Sequence, residues 1–131
     1  MAHKEIELIL ARQLADCLAL PILLVDAEGT LVFYNEPAEK IIGRRFDETG
    51  AMSREEWLKL FLITDGKGHP LKPEDRPLVK ALTKREPCQS TLWIRGGDLL
   101  EHRIHSTTLP VIGRGDRFLG AMAIFWKADR Q

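Results

Sequence analysis

The second half of the chain, from Pro73 to Trp126, contains one amphipathic segment followed by three segments patterned as β-strands. Glycine-containing stretches of a few residues join the strand-like segments, as expected for hairpins. This order predicts a helix followed by three strands, each next to the previous one and antiparallel to it. The predicted elements are a helix over 73–84 and strands over 89–94, 100–108 and 118–126.

Two of the predicted strands are apolar at nearly every position. Phe118 to Trp126 is an almost unbroken apolar run, and Ile22 to Val25 is apolar on both strand faces. Such strands are covered on both faces, which favours central places in a sheet. We therefore expect these two segments side by side, with the more polar strands 89–94 and 100–108 further out.

The first half predicts a leading helix, a hairpin and several short helices. The leading helix, over His3 to Leu20, has an apolar stripe at Ile6, Leu10, Leu14 and Cys17. A turn at 26–29 joins strands 22–25 and 30–34, and Asn35 is a good N-cap for the short helix that follows. Residues 44–52 are polar and predicted to be irregular. Ser53 and Glu56 have capping-box spacing, which predicts a helix with Trp57, Leu58, Phe61 and Leu62 facing inward.

These elements predict an α+β fold. About five antiparallel strands would carry the short helices on one face, and the N-terminal amphipathic helix is the available cover for the other. The chain has 131 residues, the size of a single domain. Its 44% apolar and 29% charged residues are typical of a globular protein.

Charge and cysteine content limit the classes of partner and compartment. Nineteen basic residues balance nineteen acidic ones, so no net field favours nucleic acid or anionic membranes. Cys17 and Cys88 lack metal-type spacing, and charged residues interrupt the apolar positions near the N-terminus. We therefore expect a reduced, cytoplasmic protein with no metal site, no nucleic-acid partner and no membrane span.

The order and spacing of several motifs resemble those of PAS domains. The first segments are 22–31, followed by Tyr34-Asn35-Glu36-Pro37-Ala38 and Ile42-Gly43. Further segments are Asp65-Gly66, 74–82, Leu109-Pro110 and 120–125. The resemblance extends from about Leu20 to Trp126. It implies a cap or dimerisation helix at 1–20, a PAS domain at 21–127 and a tail at 128–131.

Membership of this family would imply a signalling module rather than an enzyme. Such modules sense small ligands, dimerise or regulate partners. The family's last strand usually runs into an Asp-hydrophobic-Thr element, whereas Lys127-Ala128-Asp129-Arg130 follows here. No kinase, cyclase or DNA-binding segment is present, so we expect either a fragment or a module acting on a partner protein in trans.

The sequence names no cofactor. A haem-binding PAS domain would offer a histidine from the 73–84 helix, which contains none, and no Asn-Cys-Arg flavin motif is present. We therefore expect neither haem nor a photosensing flavin, and the cofactor is unknown. His102 and His105 are three residues apart on one strand, so they point to opposite faces and do not form a metal pair.

Two functional hypotheses remain, with a remote third. In the first, an apolar pocket binds a small molecule and is lined by Trp57, Leu78, Leu82, His102, Ile104 and Ser106; the same residues could instead only fill the core. In the second, the chain is an interaction module that forms a homodimer through Ile6, Leu10, Leu14 and Cys17, although this helix could instead only cover its own sheet. The third is a small α+β enzyme using Asp26 or Asp98, both of which have ordinary turn explanations.

Overall fold

Six antiparallel strands form one sheet in a computed structural model that describes residues 6–60, 62–95 and 100–128. The strands are β1 (Ile22–Asp26), β2 (Leu31–Tyr34), β3 (Leu62–Thr64), β4 (Cys88–Arg95), β5 (Glu101–Ile112) and β6 (Phe118–Lys127). Their spatial order is β2-β1-β6-β5-β4-β3, and each neighbouring pair is antiparallel. The α+β class is confirmed, with one strand more than the five expected.

Short helices cover one face of the sheet and one longer helix covers part of the other. They are α1 (Ile6–Cys17), α2 (Glu36–Ile42), α3 (Phe46–Thr49), α4 (Arg54–Leu60) and α5 (Pro77–Lys84), with 3-10 turns at Pro73–Asp75 and Arg114–Asp116. We call the face under α2, α4 and α5 the inner face and the face under α1 the outer face. Among the described residues, no helix has the length and apolar character needed to cross a bilayer.

The extra strand lies in a segment whose pattern predicts helix. The capping box is present, because the Ser53 hydroxyl accepts from the Glu56 amide and the Glu56 carboxylate accepts from the Ser53 amide. However, α4 ends at Leu60, and Leu62 begins β3 instead of facing inward on the helix; Phe61 lies outside the described residues. β3 pairs with residues 93–95 at the free edge of β4. This pairing satisfies backbone N–H and C=O groups at the edge of β4. A local sequence pattern cannot predict it, because the two paired segments are far apart in the chain.

The two apolar strands lie side by side, as expected. β1 pairs with β6 from Ile22 opposite Ile124 to Asp26 opposite Gly120. Alternate residues enter two separate clusters, so both strands are covered on both faces. Those on the inner face are Leu23, Val25, Ala121, Ala123 and Phe125, and those on the outer face are Ile22, Leu24, Met122 and Ile124.

The predicted helix over 73–84 is broken at Arg76. Pro73–Asp75 forms a single 3-10 turn, and Arg76 is extended, with φ −76° and ψ 136°, before α5 begins at Pro77. A residue that precedes proline is disfavoured in the helical region, because the proline ring collides with its backbone. The helical run is therefore shorter than its acidic start suggested.

Two connections also differ from the predictions. β5 continues through Pro110 to Ile112 instead of ending at Thr108. The pairing of β4 with β5 stops at Thr108, so Pro110 lies where β5 has a partner on one side, and a proline without an N–H is tolerated there. Residues 46–49 form the one-turn helix α3 in the segment predicted to be irregular. The predicted glycine hairpin after Arg95 lies outside the described residues.

The N-terminal helix α1 packs on the outer face. The side chains that contact the sheet are not those of the predicted stripe, Ile6, Leu10, Leu14 and Cys17. Ala15 is fully buried, and Leu8, Ala11 and Leu18 pack against the outer cluster. Asn35 fixes the end of this helix, because its side-chain amide donates to the carbonyls of Ala15 and Leu20 at 2.8 Å each. The same side chain accepts from the Ile22 amide and from the Ala38 amide as the N-cap of α2.

Candidate functional site: an inner cavity and an exposed helix stripe

A small cavity lies between the inner face of the sheet and the short helices. Its volume is about 40 Å³, which is space for roughly three water molecules. The helix side is formed by Trp57, Arg76, Pro77 and Leu78. The sheet side includes Leu23, Leu92, Ile104, Ser106, Thr108 and Phe125.

Trp57 anchors the helix side of the cavity. Its ring is 1% exposed, and its indole N–H donates to the Gly29 carbonyl at 2.8 Å. A buried indole normally has such a partner, because an unsatisfied N–H in the core would be costly. This bond links α4 to the turn that follows β1 and fixes the ring against the cavity.

Arg76 is a buried cationic residue that lines part of the cavity. The side chain is 5% exposed, and its Nη1 donates to the carbonyl of Leu58, in the last turn of α4, at 3.1 Å. Its guanidinium carbon is also 5.7 Å from the centre of the Trp57 ring. Burial lowers the pKa of Arg76 to about 10, so the group remains charged at neutral pH but is less well solvated than in water.

Two hydroxyl groups line the sheet side. The Thr108 hydroxyl donates to the Pro77 carbonyl at 3.2 Å, so it is engaged in holding α5 against β5. Ser106 is 7% exposed, and none of the hydrogen bonds formed among residues 6–60, 62–95 and 100–128 involves its hydroxyl. Ser106 also lines the cavity beside Ile104 and Thr108.

The structure brings together four of the six residues predicted to line a pocket. Trp57, Leu78, Ile104 and Ser106 line the cavity. Leu82 instead packs at the margin of the inner cluster. His102 lies beyond the end of β6, whose Lys127 pairs opposite Ile104, and it lines a separate surface groove beside Pro37 and Ile41 of α2. Ligand binding by any of these residues stays a prediction.

Arg76 and Thr108 were missed by the sequence analysis. Thr108 continues the alternation of Ile104 and Ser106, so strand periodicity could have identified it. Arg76 carries no such signal. An arginine between an acidic run and a proline is normally exposed to solvent. The burial of Arg76 depends on the position of the break before α5.

The described residues that line the cavity offer no side chain that would ligate haem iron or form a flavin adduct. The side chains that line it include neither histidine nor cysteine, so a haem ligand and a thiol for a flavin adduct are both missing from its wall. Its volume is also several times below the 300 Å³ or more of ordinary ligand pockets. Within the described ranges, no three histidine, cysteine, aspartate or glutamate side chains cluster closely enough to hold a metal ion.

The carboxylates considered for catalysis have a structural role or are not described. Asp26 Oδ1 accepts from the amides of Glu28 and Thr30 at 2.9 and 3.0 Å, which stabilises the turn between β1 and β2. This is the Asx-type turn expected of aspartate at that position. Asp98 lies outside the described residues.

The predicted dimer stripe lies on the solvent side of α1. Ile6, Leu10 and Leu14 are 65%, 55% and 53% exposed, and Cys17 is also exposed. Since the opposite side of α1 packs on the outer cluster, this helix has two apolar faces and the domain covers one of them. We call Ile6, Leu10, Leu14 and Cys17 the outward stripe.

Comparison with known proteins gives matches at the level of structure. No protein-family model and no curated protein matches the sequence. The PAS domain of BvgS from Bordetella pertussis is 18% identical, with a TM-score of 0.66 over 95% of this chain and 88% of that one. A LOV protein from Rhodobacter sphaeroides is 17% identical, with a TM-score of 0.69 over 96% and 70% of the two chains.

A third similar structure is the light-state dimer of the fungal blue-light photoreceptor Vivid. It is 15% identical, with a TM-score of 0.61 over 83% of this chain and 78% of that one. Identities this low support a shared architecture and carry no residue roles. The sheet of six strands, its covering helices and these matches agree on one conclusion: this chain has the fold of a PAS domain.

Proposed function

We propose that this chain is a PAS-type signalling module that forms a homodimer through the outward stripe of α1. The observation that carries the proposal is the second apolar face of this helix. Leu8, Ala11, Ala15 and Leu18 already cover the outer cluster, so Ile6, Leu10 and Leu14 are not needed for the domain's own core.

Burial of the outward stripe would favour association. A large aliphatic side chain contributes about 1.5–3 kcal/mol when it is fully buried. In a two-fold symmetric pair each residue counts twice, because both copies present the same surface. Vivid, a protein with a similar fold, forms a dimer in its light state.

Measurement of mass in solution tests the dimer. We expect the chain to show a concentration-dependent dimer in sedimentation or light scattering, and Leu14→Glu to make it monomeric, since a charge cannot be buried at the contact. Thr83→Glu adds the same charge at an exposed position of α5 and should leave the dimer unchanged. A native chain that is monomeric at every concentration would contradict the proposal, as would equal dimerisation of Leu14→Glu.

A small ligand in the inner cavity is the second candidate function. This function is favoured by the position of β6, which lies between the cavity and the outer cluster. Ala123 and Phe125 line the cavity, whereas Met122 and Ile124 on the opposite side of the same strand belong to the cluster that α1 covers. A ligand that displaces β6 would therefore change the packing of α1 and the geometry of the dimer.

Thermodynamic linkage gives a test of this coupling. A ligand that favours one dimer geometry must change the dimer dissociation constant, and dimerisation must change ligand affinity by the same factor. Native mass spectrometry of the purified chain would identify a retained small molecule. If no molecule is retained and none changes the dimer constant, the chain is a dimerisation and partner-regulation module without a ligand.

A further inference from the structure

We propose that the inner cavity binds a small apolar molecule without hydrogen-bonding groups, such as a short hydrocarbon. This inference rests on the second candidate function, ligand sensing, and names the chemical class of the ligand. Most of the side chains that line the cavity are aliphatic or aromatic, with Leu92, Ile104 and Phe125 among them. Such a wall offers dispersion contacts to any ligand, but a polar ligand would lose its hydrogen bonds to water on entering it.

The nitrogen donors of the cavity wall are engaged by other parts of the protein. The Trp57 indole donates to the Gly29 carbonyl at 2.8 Å. The Arg76 guanidinium donates to the Leu58 carbonyl at 3.1 Å. Both acceptors lie outside the set of described residues that line the cavity. These two bonds therefore hold the helices in place and leave the apolar parts of both side chains to form the wall.

The hydroxyl groups of the wall add little polarity. Thr108 donates its hydroxyl to the Pro77 carbonyl at 3.2 Å, so it is used to hold α5 against β5. Ser106 contributes one more hydroxyl to the sheet side. A single hydroxyl cannot replace the several hydrogen bonds that a carboxylate, an amide or an alcohol forms in water. The wall therefore discriminates against polar ligands of any charge.

Water is a poor occupant of the cavity for the same reason. A buried water molecule typically forms about three hydrogen bonds to polar groups around it, and groups that are already engaged cannot supply them. Side chains that face a void also lose dispersion contacts, which an apolar molecule would restore. The volume of about 40 Å³ is well below the roughly 150 Å³ of a cavity that holds benzene, so the ligand has about three heavy atoms.

NMR of the methyl-labelled chain under controlled gas pressure tests the proposal. Propane and ethanol have the same number of heavy atoms, but ethanol carries a hydroxyl. We expect dissolved propane to cause saturable shifts at the methyl groups of Leu92 and Ile104 and none at Leu10, which is exposed on α1. Ethanol should bind at least about tenfold more weakly, because its hydroxyl loses hydrogen bonds to water. Xenon, which has no polar group, should shift the same methyl resonances as propane.

A matched pair of variants on β6 locates the binding site. Ala123 lines the cavity, whereas Ala121 is buried in the same cluster but is not among the cavity-lining residues. Ala123→Val should fill part of the cavity and weaken propane binding at least about tenfold, while Ala121→Val should keep the native affinity. Ile104→Val provides an independent test, because it enlarges the cavity and should raise the affinity for butane relative to propane. The NMR spectrum of each variant reports whether it is folded.

The outcomes distinguish the inference from the proposed function. Equal binding of propane and ethanol would overturn the apolar class and leave a small-ligand site in place. If neither propane nor xenon shifts the cavity methyl resonances, or if folded Ala123→Val binds propane as the native chain does, the inference is wrong. The second candidate function then depends on native mass spectrometry alone. If propane binds as expected but leaves the dimer dissociation constant unchanged, the inference holds and the coupling through β6 is wrong.

Discussion

The two faces of the sheet are covered in different ways. On the inner face, α2, α4 and α5 pack over one large cluster that includes Trp57, Leu78 and Phe125, with the cavity inside it. On the outer face, one helix covers a smaller cluster around Ile22, Leu24 and Met122 and leaves its own outward stripe exposed. The helices of the inner face bury their apolar side chains in one cluster, whereas α1 on the outer face has apolar side chains on its solvent side as well. The candidate ligand cavity therefore lies on the first face, and the surface proposed for association lies on the second.

Replacing two tryptophans, one on each face, should give the largest difference in the free energy of unfolding. Trp57→Ala should lower the free energy of unfolding by about 3–5 kcal/mol, because it empties a fully buried site and leaves the Gly29 carbonyl without its donor. Trp126→Ala should cost about 1 kcal/mol, since that ring is 38% exposed. Urea unfolding of both variants measures the difference. Equal losses would show that the two faces contribute alike.

Asn35 tests the connection between the faces. Asn35→Ala removes four hydrogen bonds that join α1, β1 and the start of α2, and it leaves buried backbone groups unsatisfied. We expect a loss of about 3 kcal/mol in chemical denaturation. Asn35→Ser retains an N-cap for α2 but cannot reach both carbonyls near the end of α1. The loss of stability for Asn35→Ser should be intermediate. If Asn35→Ala lowered the free energy of unfolding by only about 0.5 kcal/mol, α1 would be held by packing alone.

Gly120 tests the strand pair that both faces share. It has φ 152°, and a Cβ at this position would overlap the Val25 carbonyl oxygen and lie 2.9 Å from the Asp26 Cα. Gly120→Ala should therefore separate β6 from β1 and cost about 2 kcal/mol. Gly115→Ala is a useful comparison, because its φ is also positive but nothing lies within 4 Å of the added carbon. Thermal unfolding should show the larger effect at Gly120.

The smallest expected effect comes from a surface turn outside both clusters. The pKa of Asp65 is lowered, first by a hydrogen bond from the Lys67 amide and further by contacts with His69. The stabilisation is present above the ordinary aspartate pKa of about 3.9 and is lost as the pH falls through the lowered value. Asp65→Asn should therefore flatten this part of the acid unfolding curve. A carboxyl titration by NMR that shows an ordinary pKa would contradict this assignment.

Much of the fold could be predicted from local pattern. Apolar residues on both faces of β1 and β6 indicated that the two strands are central and adjacent, and Asn35 and Ser53 marked the starts of helices correctly. β3 could not be predicted from local pattern. Its three residues form a strand because they lie beside the edge of β4 and pair with it. The break at Arg76 was readable in principle, because the residue before Pro77 is disfavoured in a helix.

The candidate site was predictable only in part. Strand alternation placed Ile104 and Ser106 on one face, and helical spacing placed Leu78 inward. Periodicity also favoured His102, but β6 ends before reaching it. Burial of Arg76 depends on the carbonyl of Leu58, eighteen residues earlier in the chain, and no short-range pattern reports such a contact.

The sequence by itself determined which segments become central strands and helices, because apolar periodicity and capping residues act over a few neighbouring positions. The tertiary structure decided which side of α1 meets the sheet, which strand edge accepts β3, and that an arginine lies in the cavity wall. Each of these depends on the distance between segments far apart in the chain, and that distance is set by packing.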